Sequence, residues 1–85
     1  MTEYNITPAS LALFTAFAKD ADNWNGEPLV GGNVSITKEQ RGNLTQLKAA
    51  GLVTTFLDEG NLWLNFTPAG VELAREMGIT WVIPA

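Results

Sequence analysis

Three observations predict a small α+β domain with three main helices and a two- or three-stranded antiparallel sheet. Thr-Pro pairs at 7–8 and 67–68 and the box Thr37-Lys-Glu-Gln40 mark three helix starts. A threonine hydroxyl caps the orphan amides of a first turn, and proline needs no donor there. Gly51 and Gly78 mark two helix ends, where a left-handed residue closes the last turn. Between the last two helices, alternating apolar runs flank Asp58-Glu59-Gly60-Asn61, the pattern of a hairpin. The 85 residues suit a single domain, 1–85, near the size at which one core just suffices.

Composition limits the chemistry. Histidine and cysteine are both absent, which removes the usual general base at neutral pH, any thiolate nucleophile and the common zinc or haem ligand sets. No cofactor or metal is therefore expected, and without disulfides stability must come from burial, which 46% hydrophobic residues can supply. Nine acidic against five basic residues give net −4, whereas a protein that coats nucleic acid without specificity is usually basic. Only 16% of residues are charged, below the roughly 25% of ordinary domains, so apolar surface is expected to remain for a partner or a second copy. No apolar run is long enough to span a bilayer and no basic leader opens the chain, so a cytoplasmic protein without a membrane partner is expected.

The first helix runs from Pro8 to about Asp20, with Leu11, Leu13, Phe14, Phe17 and Ala18 on its inner arc and Ala9, Ala12 and Ala16 outside. Asp20 to Gly32 reads as a turn-rich loop anchored by Trp24. Its Asp-rich string fails as a calcium loop. With Gly26 as the turn glycine, Ala21 takes the first ligand position and Gly32 the place of the bidentate glutamate. Val34 to Ile36 reads as a very short strand. The second helix is capped by Thr37 and runs to Ala50, with Gln40, Leu44 and Leu47 inside. In the hairpin, pairing Leu57 with Leu62 places Phe56 opposite Trp63 on one face and Val53, Thr55, Leu57, Leu62, Leu64 and Phe66 on the other. The last helix spans Pro68 to Met77. Ile79 to Ile83 is apolar, and is expected either to add a third strand or to cover Phe56 and Trp63 with Trp81.

The segment Leu44-Thr-Gln-Leu47-Lys-Ala-Ala-Gly51-Leu-Val53, followed after the hairpin by Phe66-Thr-Pro-Ala-Gly70-Val-Glu-Leu-Ala74, resembles a winged helix-turn-helix domain of the MarR-like and related families. The resemblance covers about half the chain, Thr37 to Gly78. It implies a small winged-helix domain whose helix 37–50 enters the major groove, and by analogy a DNA-binding transcriptional regulator that is not an enzyme. Two features depart from the pattern. Such families place a short helix before the recognition helix, where this chain has the turn-rich stretch Asp22 to Ile36. The wing tip carries Asp58 and Glu59 and no basic residue, which would repel phosphate. Regulators of this kind commonly pair, so a homodimer is a further expectation, through the Ala9, Ala12, Ala16 stripe or the tail around Trp81.

The DNA reading also rests on the residues themselves. Lys38, Arg41 and Lys48 put three of five cations on one helix against a single acid, Glu39. Gly42 and Thr45 keep its outer ridge low, while Arg41 and Gln46 suit base edges. The alternative is an acidic winged-helix-like protein that binds and modulates another protein without touching DNA, as some phage proteins do, with Phe56, Trp63 and Trp81 as its anchor. Catalysis has little to work with. Asp58 with Glu59 and Glu72 with Glu76 fall on a turn and an exposed helix face, where carboxylates stay in water, and Gly31-Gly32 lacks the lysine of a phosphate loop.

Overall fold

The structure, a computed structural model, describes residues 6–24, 26–32 and 34–82. Helix α1 spans Pro8–Asp20 and runs on into a 3-10 turn, Ala21–Asn23. Helix α2 spans Lys38–Ala49, strands β1 and β2 span Val53–Asp58 and Asn61–Phe66, and helix α3 spans Pro68–Glu76. The architecture is α+β, three helices around one antiparallel pair of strands. No helix among the described residues is long and apolar enough to cross a membrane.

Local chemistry places these elements. The hydroxyls of Thr7, Thr37 and Thr67 accept the backbone N–H of Ser10, Gln40 and Gly70 at 3.2, 3.2 and 3.0 Å, so all three helices begin at a threonine cap. The second half of the capping box is absent, because Gln40 Oε1 accepts instead from Asn43 Nδ2 at 2.8 Å. Helices α2 and α3 end alike. Gly51 and Gly78 have φ of 77° and 83°, and the next residues, Leu52 and Ile79, donate to the carbonyls of Leu47 and Ala74 at 3.1 and 2.9 Å. The hairpin has the expected register, Phe56 opposite Trp63 and Leu57 opposite Leu62. Its two-residue turn places both Glu59 and Gly60 at positive φ, 51° and 81°, as a type I′ turn requires.

The core lies where α1 crosses α2 and the inner face of the hairpin. Phe14 and Phe17 of α1, Leu47 of α2, and Leu64 and Phe66 of β2 are at most 1% exposed. Phe14 and Phe66 meet edge to face with ring centroids 5.6 Å apart. Helix α3 seats itself on the exit of α2. Thr67 Oγ1 donates to the carbonyls of Gly51 and Leu52, and a Cβ on Gly70 would stand 2.1 Å from the Leu52 carbonyl oxygen.

Four expectations need correction. Leu11 is 38% exposed, since it lies at the edge of the inner arc rather than at its centre. Val34 makes one bridge, to Val30, and residues 35–37 form no strand. The segment that extends the sheet is 28–30. Leu29 bridges Trp63, the Val30 N–H reaches the Leu62 carbonyl at 2.9 Å, and the Leu64 N–H reaches the Pro28 carbonyl at 3.0 Å. The tail does something else. Ile79 and Val82 sink into the core at 4% and 1% exposure, and Trp81 Nε1 donates to the Ala18 carbonyl of α1 at 2.9 Å. Burying Ile79 and Val82 gains more than laying them along a strand edge, because the free energy follows apolar area removed from water. Ile83 lies outside the described residues.

Candidate functional site

Helix α2 buries Leu44 and Leu47 and turns its opposite side to solvent, where Lys38, Arg41, Gly42, Thr45, Lys48 and Ala49 are all exposed. None of the three cations forms an ion pair among the described residues. The Thr45 hydroxyl donates back to the Arg41 carbonyl at 3.0 Å, which keeps that side chain close to the helix. Gly42 has ordinary helical φ, and beyond its own stretch of helix backbone no described atom lies within 4 Å of where its Cβ would stand. Nothing among the described residues therefore requires a glycine at that position.

Gln46 is placed differently from these six. It is half-buried, and its Oε1 accepts the Thr7 N–H at 2.8 Å, holding the start of α1. The neighbouring Asn43 joins the same seam, where the fully buried Ser10 hydroxyl donates to Asn43 Oδ1 at 3.3 Å. This polar strip between α1 and α2 had no counterpart in the apolar periodicity, since it is made of small polar residues that only a second helix satisfies.

On the other flank of α2 an open groove of ≈480 Å³ separates the helix from the irregular segment after Val30. Val30, Ile36, Leu44 and Leu62 supply its apolar lining, and Arg41 and Lys48 are among the residues that line it. Residues 34–37 carry no helix. The turn-rich composition of that stretch already pointed that way.

The reverse face of the hairpin forms a second cleft of ≈300 Å³, lined by Asn23, Trp24, Glu27, Phe56, Asp58 and Trp63. Alternation along the strand separates the two sites, with Leu62 in the groove beside α2 and Trp63 in the cleft behind it. Trp24 lies edge to face with Trp63, ring centroids 5.6 Å apart. Its indole N–H donates to Asp20 Oδ2 at 2.9 Å, so the 3-10 turn after α1 fixes the ring. The structure thus brings Phe56 and Trp63 together, as the register implied, but Trp81 does not line the cleft. Trp24 and Glu27 were missed as site residues, because a turn-rich loop gives no local sign of the sheet face it will fold against. The Trp63 Nε1 and Asn65 Oδ1 atoms are buried without a hydrogen-bond partner.

Among the described residues no group of three or more acidic side chains is gathered as a metal site. Comparison of the chain with protein-family models, with curated proteins and with solved structures returned no match in any of the three.

Proposed function

We propose that this protein is a small winged-helix regulator that binds DNA through the outer face of α2. The observation that carries the reading is the character of that face, three cations without an ion-pair partner among the described residues beside a low ridge of Gly42, Thr45 and Ala49 in a chain of net −4. A helix with its side chains is about 10–12 Å across and the major groove about 12 Å wide, so a ridge of small residues helps the backbone approach base edges. Lys38 and Lys48 serve as phosphate contacts, and Arg41, whose fork can take both acceptors of a guanine, as the base reader. The order of elements supports the scaffold, with segment 28–30 beside β2, the hairpin after α2, and α3 closing behind it.

The two departures shape how contact is made. No separate helix precedes α2 among the described residues between Trp24 and Thr37, and the wing tip is acidic. Docking therefore falls to α2 alone, and affinity is modest and strongly salt-dependent. With Lys38 and Lys48 neutralising two phosphates, a rise from about 50 to about 200 mM salt should weaken binding roughly 12-fold.

A mobility-shift titration of the wild type and an Arg41→Ala, Lys48→Ala double variant tests this. The double variant should keep its fold and lose most of the affinity, with the salt slope falling from about −2 to about −1. Equal binding by both proteins, or no wild-type binding at about 50 mM salt, would overturn the reading.

A further inference from the structure

The reverse face of the hairpin carries a different set of groups, three aromatic rings and two carboxylates around one cleft. We propose that this cleft binds the guanidinium group of an arginine presented by a basic segment of another protein. The proposal is independent of the DNA reading, because the cleft and the outer face of α2 share no residue.

Three observations converge on a cation. Trp24 and Trp63 stand edge to face at an interplanar angle of 67°, with Phe56 directly across the strand pair from Trp63. An indole face attracts a positive charge through its quadrupole more strongly than any other aromatic ring of a protein. Glu27 and Asp58 line the same cleft, and both are exposed. Neither forms an ion pair among the described residues, so their negative charge is uncompensated there. Four of the chain's five cations lie elsewhere, on α2 and at Arg75 of α3, and the fifth, Lys19 of α1, is not among the residues that line the cleft.

Shape selects among cations. A guanidinium is flat, weakly hydrated and forked, so it can stack on an indole while donating to a carboxylate, which a compact ammonium does less well. The cleft is open, and ≈300 Å³ is at the low end for a ligand pocket. A free small molecule would stay largely wet there, whereas a side chain tethered to a polypeptide gains the rest of its affinity from flanking contacts. The same assignment accounts for the acidic wing tip. Asp58, which would repel phosphate on a DNA-gripping wing, belongs to the cation site.

The test uses the full chain, labelled with nitrogen-15, and two peptides, acetyl-Gly-Arg-Gly-amide and its citrulline counterpart, which has nearly the same shape without the charge. The arginine peptide should shift the indole N–H resonances of Trp24 and Trp63 saturably and leave that of Trp81 in place. The citrulline peptide should bind at least about tenfold more weakly, and a Glu27→Gln, Asp58→Asn double variant should lose about as much. Both substitutions are at exposed positions, so the fold is retained, and the Arg41→Ala, Lys48→Ala variant should bind the peptide like the wild type. No saturable shift, an equal response to citrulline, or an unchanged affinity in the carboxylate variant would each overturn the proposal.

Discussion

Gly42 stands midway along α2 with open space on every side of its missing Cβ. A glycine there costs about 0.5–1 kcal/mol relative to alanine, through the backbone freedom lost on folding. Gly42→Ala should therefore raise the unfolding free energy by that amount, read as a higher urea midpoint, while weakening DNA binding if the ridge enters a groove. A stabilised variant with undiminished binding would remove Gly42 from the interface. Gln46 shows the opposite relation between sequence and role. Helical geometry puts it outside the apolar stripe, and a free amide there suits an adenine edge. Its oxygen is instead taken by the amide of Thr7, the residue that caps α1, a donor thirty-nine residues away that no pattern around position 46 could announce.

Elements were the most legible level. Threonine caps, glycine stops and the hairpin register all act within a few residues, so the bounds of α1, α2 and both strands agree with the sequence pattern to within about two residues. Helix α3 shows where local signals stop. Its Thr67-Pro68 start is readable, but the reason for Gly70 is the Leu52 carbonyl 2.1 Å from its absent Cβ. Gly70→Ala has to push α3 off the junction of α2 and β1. The expected cost is about 1–3 kcal/mol or more, against the gain that the same change brings at Gly42. Chemical denaturation of the two alanine variants side by side checks the contrast, and a Gly70→Ala protein as stable as wild type would show that the junction yields.

At the scale of the molecule, the tail joins α3 to α1. Ile79 and Val82 fill the core, the Ile79 N–H closes α3, and Trp81 reaches the end of α1. Each buried aliphatic side chain contributes about 1.5–3 kcal/mol, so truncation after Gly78 should cost roughly 3–6 kcal/mol, much of the stability of a domain this size. A truncated chain with an unchanged urea midpoint would contradict this account of the tail. The sequence pattern leads to the same expected loss by another route, in which the tail shields Phe56 and Trp63. The actual neighbours of Trp63 are Trp24 and Leu29, which frees the reverse face of the hairpin to act as a site distinct from α2.

By itself the sequence determined the helix starts and stops, the strand pairing and the basic, small-sided face of α2, because capping, glycine φ and strand alternation depend on neighbours a few positions away. The tertiary structure alone decided which segment lies against the free edge of β2, where the tail goes, and which ring faces Trp63. Those choices are set by competition among distant segments for the same unpaired edge and the same core volume. Leu29 and Val30 win the edge next to β2, whereas Ile79 and Val82 are drawn into the space between the helices. Apolar burial is non-directional, so a run such as Ile79 to Ile83 announces that it will be covered without naming the surface that covers it.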